Sequence, residues 1–288
     1  MASAAGHAGD SVQLRRLSAP PGELVLTLWT SDTGLAARAD VAGVERIGVD
    51  LERLGKRERQ GGLGTWISSH TEADLAAVGT ALTDAELFAR VDPLHDGTAA
   101  QVERVLAAGT RVLMLPMFTR AAEVERFVEI VAGRAEIVLL LETAEAVAAV
   151  HEIAAVEGVG EIHLGLNDLT LALGLSNRFM LLASPVAERV ARAVTAAGLR
   201  FGAGGIGRAD DAALPIPADL VYAQYARLGA GAALVSRSFF GDDPDGLDLA
   251  AEVGRARRRM DEWRGCGADE LEAARAELSE IAAAAARW

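Results

Sequence analysis

The chain has 288 residues, of which 51% are hydrophobic and 24% charged, a composition typical of a globular protein with a large core. Its 41 acidic and 28 basic side chains give a net charge of −13, which disfavours nucleic acid and anionic membranes as partners. Cys266 is the single cysteine, so neither an intramolecular disulfide nor a cysteine metal cluster is expected. Apolar runs of signal-peptide or membrane-span length are lacking. We therefore expect a soluble cytoplasmic protein.

Short apolar runs alternate with Ala-, Glu- and Arg-rich stretches of helical period along most of the chain. Residues 1–20 are small and polar and predict a mobile tail. The runs that follow lack strict polar alternation, as is typical of parallel strands buried on both faces. With amphipathic helices between them, eight such strands predict a TIM (β/α)8 barrel over residues 21–242. The eight runs are ELVLTLWT, RIGVDLE, ELFARVD, RVLMLPMF, EIVLLLE, EIHLGLND, RFGAGGIG and AALVSRSFF.

Two segments depart from this repeat. Residues 59–78 are long for one crossover, and either an extra strand or an active-site loop would explain them. Residues 243–288 predict a C-terminal helical extension whose apolar face would pack on the barrel or on a neighbouring subunit. The residues at helical spacing on that face are Leu271, Ala274, Leu278, Ile281 and Ala285.

Polar side chains at the ends of the predicted strands are the first candidates for chemistry, because the active site of such a barrel lies at the carboxyl ends of its strands. Asp50 ends the second strand, Arg90 lies on the third, Glu142 ends the fifth and Asp168 follows the sixth. Two carboxylates from neighbouring strands repel each other unless a cation or a shared proton lies between them. Oxygen ligands from Glu142 and Asp168, completed by water and substrate, would suit Mg²⁺ or Mn²⁺ better than Zn²⁺.

Several motifs are similar to those of a known family. The most specific are LLETAEAV (140–147) and IAAVEGVGEIHLGLNDLTLALG (153–174), in this order and spacing. VDLE (49–52), ARVDP (89–93) and MLPMF (114–118) add to them, although the first two alone would mean little. From residue 24 to 240 the chain resembles the HpcH/HpaI aldolase and citrate lyase β-subunit family of phosphoenolpyruvate/pyruvate-binding barrels.

The resemblance implies a metal-dependent, class II carbon–carbon lyase or aldolase that acts through a pyruvate-like enolate, with an aldehyde or thioester as the second reactant. It implies Glu142 and Asp168 as the metal ligands and Arg90 as a contact to the same substrate oxygens. Backbone N–H groups of Leu166 and Asn167, after Gly165, would hold the carboxylate of a small keto-acid. Because related proteins form trimers or hexamers, we also expect a homo-oligomer.

One departure from the family concerns proton transfer. Where the aldolase branch has Gly-Glu-His after its second strand, this chain has Leu-Glu-Arg at 51–53. His70 would replace the missing histidine if its loop folds over the barrel mouth, and water on the metal or Asp50 could serve as the base. Asp50 and Glu52 could equally orient Arg90, and an ion pair with them is the alternative to substrate binding by this arginine.

A second cluster follows the last two predicted strands, where barrels commonly bind phosphate. It could bind a phosphate or carboxylate of a larger substrate, or its glycines could merely permit a tight turn. Together with the missing histidine, it leaves open a barrel that binds or transforms a sugar-like anionic ligand without aldol chemistry. The residues of the cluster are Gly204, Gly205, Arg208, Ser236 and Arg237.

Overall fold

Eight parallel strands form a closed barrel in the computed structural model, which describes residues 23–56, 70–211, 214–240 and 244–285. Each strand pairs with the next along the chain, and the eighth pairs back with the first. The predicted barrel and all eight predicted strands are thereby confirmed. The strands are β1 (Val25–Trp29), β2 (Arg46–Asp50), β3 (Glu86–Arg90), β4 (Val112–Leu115), β5 (Glu136–Leu141), β6 (Val159–Leu164), β7 (Arg200–Ile206) and β8 (Ala232–Val235).

Helices connect the strands and cover the outside of the barrel, where a large apolar core lies between the two layers. The described helices before β6 are α1 (Thr33–Val41), α2 (Glu72–Ala81), α3 (Thr98–Ala107), α4 (Ala121–Val131), α5 (Ala144–Ala148) and α6 (Val150–Ala154). Those after β6 are α7 (Leu166–Ala172), α8 (Arg178–Leu182), α9 (Pro185–Ala196), α10 (Ala218–Arg227), α11 (Leu249–Arg264) and α12 (Ala268–Ala284), together with a 3₁₀ turn at Arg237–Phe239.

The barrel interior is charged at the amino ends of the strands. Arg46 on β2 donates to both carboxylate oxygens of Glu161 on β6, at 2.9 and 3.0 Å, and since these strands are not neighbours the two side chains must meet across the barrel. Glu161 also contacts Arg200 and His163. The His163 ring occupies the space that Gly202 leaves by lacking a Cβ. His163 is therefore a buried, hydrogen-bonded histidine.

Above this charged layer the interior becomes apolar. A separate cluster of buried side chains from β3, β4 and β5 fills the middle of the barrel, with the Trp29 ring stacked on Phe88 at 4.8 Å between centroids. It consists of Phe88, Val112, Met114, Val138 and Leu140. Because side chains alternate along a strand, Asp50 and Arg90 face inward at the carboxyl end, above this apolar layer.

The two segments that departed from the sequence repeat have different outcomes. Part of 59–78 forms α2, which begins with a capping box between Thr71 and Asp74, whereas 57–69 lie outside the described residues, as does the predicted tail at 1–20. In the C-terminal extension, α12 packs against α10 and α8 of the same barrel, with Ala274 and Leu278 buried. Among the described residues, no helix combines the length and apolarity needed to cross a membrane.

Candidate active site

An ionic cluster lies at the carboxyl ends of β2 and β3. Arg90 donates from Nε and Nη2 to the two carboxylate oxygens of Asp50, at 2.9 and 2.7 Å. Lys56 approaches Asp50 from the following turn, with Nζ 2.6 Å from Oδ2. The Glu52 carboxylate lies 3.4 Å from both cationic groups. Arg90 thus makes the ion pairs that the sequence had offered as the alternative to substrate binding.

These contacts set the charge states of the cluster. Burial alone would raise the pKa of Asp50, but the charges and hydrogen bonds of Arg90 and Lys56 outweigh it and hold this pKa well below its usual range. Burial would lower the pKa of Arg90, whereas Asp50, Glu52 and Glu142 together raise it. Asp50 is therefore a firmly ionised partner of Arg90, and a low pKa makes it a weak proton acceptor.

The Glu142 side chain follows β5 and lies against the start of α7. The N–H of Met117 donates to its Oε1 at 3.3 Å, and Met117 holds a positive φ of 57°. A Cβ added to Gly165 would lie 2.5 Å from the Cβ of Glu142 and 2.9 Å from its Oε2. Only glycine therefore permits Glu142 to approach the helix start this closely.

Asp168 lies three residues after Gly165, in the first turn of α7. No side chain caps the amino terminus of this helix, and Leu166 and Asn167 are its first two residues. Asp168 and Glu142 are 8% and 3% exposed. The Glu142 carboxylate thus lies against the same helix start that carries Asp168.

The chemistry of this donor set fits a hard dication. Both residues offer carboxylate oxygens at the barrel mouth, which are the ligands Mg²⁺ and Mn²⁺ prefer. Within the described ranges, no group of three or more His, Cys, Asp or Glu side chains could hold a metal ion. A cation bound by Glu142 and Asp168 would therefore take its remaining ligands from water and from a substrate.

His70 lies directly before Thr71, the residue that caps α2. Arg53, which stands where the aldolase branch has histidine, donates from Nη2 to the carbonyl of His70. The N–H of Arg53 is in turn bound by Asp92 after β3. Arg53 therefore ties the His70 backbone to the carboxyl end of β2, and a proton-transfer role for His70 stays a prediction.

The second predicted cluster lies at the carboxyl ends of β7 and β8. Gly205 has a φ of +93° and lies within β7 where the register with β8 shifts, so this glycine accommodates a bulge in the strand and not a tight turn. Ser236 bonds the hydroxyl of Ser238 at 2.6 Å. Arg208 is ion-paired with Asp211 at 2.9 Å, and Arg237 begins the 3₁₀ turn after β8. Anion binding by this cluster stays a prediction.

Lys56 and Met117 are the two site residues that sequence reasoning missed. Lys56 is the only lysine in the chain and is nonetheless buried. A lone lysine just after a strand that ends in two carboxylates was a usable signal. Met117 contributes a backbone N–H to the site and has a positive φ. Neither feature can be predicted from a methionine at this position in the sequence.

Comparisons with known proteins agree with this architecture. The family model described as HpcH/HpaI aldolase/citrate lyase matches residues 69–202. No curated protein matches the sequence significantly. Among solved structures, an HpcH/HpaI aldolase/citrate lyase family protein from Burkholderia cenocepacia J2315 is 20% identical with a TM-score of 0.58, and the match covers 84% of this chain and 95% of that one.

Two further solved structures share the fold. An HpcH/HpaI aldolase from Desulfitobacterium hafniense DCB-2 is 18% identical with a TM-score of 0.56, over 86% of this chain and 95% of that one. The protein CitE from Mycobacterium tuberculosis, in complex with magnesium and pyruvate, is also 18% identical with a TM-score of 0.56, over 90% of this chain and 98% of that one. The resemblance seen in the sequence motifs is confirmed: residues 69–202 match the HpcH/HpaI aldolase/citrate lyase family model, and solved structures described by the same family name share the fold.

Proposed function

We propose that this protein is a lyase or aldolase that breaks or forms a carbon–carbon bond next to a small 2-keto-acid, with Mg²⁺ or Mn²⁺ held by Glu142 and Asp168. The observation that carries the proposal is the placement of the Glu142 carboxylate against the helix start that bears Asp168. The family match and the magnesium and pyruvate in the similar CitE structure support it. When bound, the dication would stabilise negative charge on the keto oxygen of the substrate.

Arg90 would bind the substrate with the part of its guanidinium that Asp50 does not use. Its Nε and Nη2 are both engaged by Asp50, whereas Nη1 makes no hydrogen bond within the described residues. The side chain is 18% exposed, which leaves it accessible from the barrel mouth. Of the two roles open to Asp50, these contacts support orienting Arg90 rather than taking a proton.

The first turn of α7 would hold the keto-acid carboxylate. Backbone N–H groups in the first turn of a helix lack acceptors within the helix and carry partial positive charge. Leu166 and Asn167 provide two such groups between Gly165 and Asp168. They lie on the same side of the barrel as Arg90, so one ligand could use both sets of donors.

Glu142→Gln is the variant that tests this function, because it removes the charge while keeping the shape of the side chain. We expect the wild type to bind Mg²⁺ or Mn²⁺ and to act on pyruvate with a panel of aldehydes, and the variant to lose both properties. Calorimetric metal titration and a chelator-controlled activity assay measure them. Activity that is indifferent to chelator, in a protein that binds neither ion, would refute the proposal.

The same variant separates this function from the alternative of an anion-binding barrel without aldol chemistry. Under that alternative, Glu142→Gln should bind a sugar phosphate or a dicarboxylate as the wild type does, and neither protein should show metal-dependent activity on keto-acids. We favour the lyase because it gives the two buried carboxylates, Glu142 after β5 and Asp168 in α7, a function as metal ligands.

A further inference from the structure

Four charged side chains at the carboxyl ends of β2 and β3 form a closed ring of alternating sign, the charge ring. Lys56 contacts the carboxylates of Asp50 and Glu52. Arg90 contacts the same two carboxylates. Both cations approach Asp50 closely, at 2.6 and 2.7 Å, whereas Oε2 of Glu52 lies 3.4 Å from each of them. Two positive and two negative charges thus balance within the charge ring.

The position of Lys56 in the charge ring is set by the turn that precedes it. Asp92 accepts hydrogen bonds from the N–H groups of Arg53 and Leu54, at 2.6 and 2.9 Å, and Gly55 follows with a φ of +69°. The Lys56 side chain is 4% exposed, so the cost of removing its ammonium from water must be offset by the carboxylates that it contacts. The fold therefore commits this lysine to the charge ring and not to solvent.

The guanidinium of Arg90 has one edge that the protein leaves open. Its Nε and Nη2 donate to Asp50, and its Cζ lies 5.8 Å from the centroid of the Trp29 ring. Nη1 makes no hydrogen bond within the described residues, and it is not among the buried polar atoms that lack a partner. This nitrogen is therefore accessible from the barrel mouth. A second carboxylate on Arg90 would occupy Nη1 or turn the guanidinium away from Asp50.

Glu52 is the carboxylate in position to compete for Arg90. Its side chain is 1% exposed, and its Oε2 is as far from Nη2 of Arg90 as from Nζ of Lys56. A buried carboxylate is stabilised by each cation that it contacts, so loss of the lysine would draw Glu52 towards the arginine. The charge ring would then also carry one uncompensated negative charge, which repels an anionic ligand at the same mouth.

We propose that Lys56 is a positioning residue for substrate binding. It holds Glu52 and Oδ2 of Asp50, and so leaves Nη1 of Arg90 for an oxygen of the keto-acid. This inference rests on the proposed function and adds a residue to it. Lys56 does not touch the substrate but acts through Glu52 and Arg90. A compact ammonium with three donors suits this role, because it can contact two carboxylates at once.

Pyruvate titrations into the Mn²⁺-loaded protein test this role. Lys56→Met should bind pyruvate roughly tenfold or more weakly than wild type. Its Mn²⁺ affinity should be unchanged or higher, because removing a nearby positive charge does not oppose a dication, whereas a purely structural loss would weaken both. Lys56→Arg keeps the charge and should restore most of the pyruvate affinity. Glu161→Gln, in the buried ionic layer at the other end of the barrel, is the control for lost stability and should bind pyruvate as wild type does.

A double variant separates competition by Glu52 from any other effect of losing the lysine. Lys56→Met combined with Glu52→Gln removes the competing carboxylate and restores the balance of charge. This double variant should therefore bind pyruvate nearly as tightly as wild type, and it keeps the test valid should Lys56→Met alone fold poorly. Pyruvate affinity as low in the double variant as in Lys56→Met would contradict the role assigned to Glu52.

Crystal structures without metal or ligand distinguish this inference from the proposed function. In Lys56→Met we expect Glu52 to accept a hydrogen bond from Arg90, and in wild type to remain shared between the two cations. Failure of wild type to bind Mn²⁺ would refute the proposed function whatever the position of Arg90. Equal pyruvate affinities of wild type and Lys56→Met, or an Arg90 that keeps its wild-type contacts in this variant, would overturn the role of Lys56 while leaving metal binding untouched.

Discussion

The buried ammonium of Lys56 links two carboxylates that otherwise lie close together. It contacts Oδ2 of Asp50 and Oε2 of Glu52, the same two oxygens that Arg90 Nη2 approaches. Its position depends on the turn at Gly55, which has a φ of +69°, so sequence spacing alone could not place it. The sequence did identify Asp50, Glu52 and Arg90 as neighbours, because strand ends in a parallel barrel share one face.

Lys56→Met should destabilise the protein by about 3 kcal/mol, because it leaves buried acidic groups without one of their cationic partners. Asp50 should also titrate at higher pH, since one of the charges that lower its pKa is gone. Urea denaturation at neutral pH measures the first effect, and carboxyl NMR the second. Lys56→Arg keeps the charge and should recover most of the loss; equal instability of both variants would contradict this role.

Gly165→Ala should damage the proposed metal site without changing a charged group. The new Cβ would overlap the Glu142 side chain at 2.5 Å, so the carboxylate must move away from the start of α7. We expect metal affinity to fall at least tenfold, about 1.4 kcal/mol, as measured by Mn²⁺ titration. Gly254→Ala in α11 is the control for metal binding, because an added Cβ there meets only the far end of the Arg258 side chain. Unaltered affinity of the Gly165 variant would oppose the placement of Glu142.

At the scale of elements, the C-terminal helices are part of the packed barrel. Asp219 at the start of α10 accepts hydrogen bonds from Arg259, one of them 2.7 Å long, and from the Trp263 indole at 2.9 Å. The sequence revealed the apolar spacing of the last helix but not its partner, because a helical stripe does not specify which surface covers it. In the structure, the last helix contacts α10 and α8 of the same chain.

Asp219→Ala should lower the free energy of unfolding by about 1 kcal/mol. Charged hydrogen bonds to a buried carboxylate contribute more, but the Asp219 side chain is 36% exposed and solvent screens it. Burial raises the pKa of Asp219, and the hydrogen bonds from Arg259 and Trp263 more than reverse this. The midpoint of urea denaturation measures the loss. Asp261→Ala, on the exposed side of α11, is the control. Equal midpoints for the two variants would argue against a stabilising contact between Asp219 and α11.

At the scale of the whole molecule, the charged layer across the barrel joins β2 to β6 and β7. Glu161 accepts hydrogen bonds from both Arg46 and Arg200 and is completely buried. Burial would raise the pKa of Glu161, but Arg46, His163 and Arg200 hold it well below its usual range. Apolar strand runs predicted the barrel, but this ionic centre required knowing which strands face each other across it.

Glu161→Gln should cost about 3–5 kcal/mol at neutral pH, because it leaves two arginines without their shared carboxylate. The pKa of Glu161 is depressed in the folded state, so its contribution is complete above the usual value of 4.5 and is lost as the pH falls below it. The variant should therefore show a shallower decline of stability below pH 4.5. Urea denaturation at several pH values measures this decline. Glu129→Gln removes a carboxylate from an exposed ion pair and should behave like wild type. A decline of the Glu161→Gln variant as steep as that of wild type would count against this role of Glu161.

We propose that Glu142 and Asp168 together hold a divalent cation at the barrel mouth. Crystals grown with Mn²⁺ and pyruvate, examined by anomalous diffraction, test it most directly. We predict one strong anomalous peak within coordination distance of both carboxylates, with pyruvate oxygens completing its ligands. A peak elsewhere, or none at saturating Mn²⁺, would contradict the account.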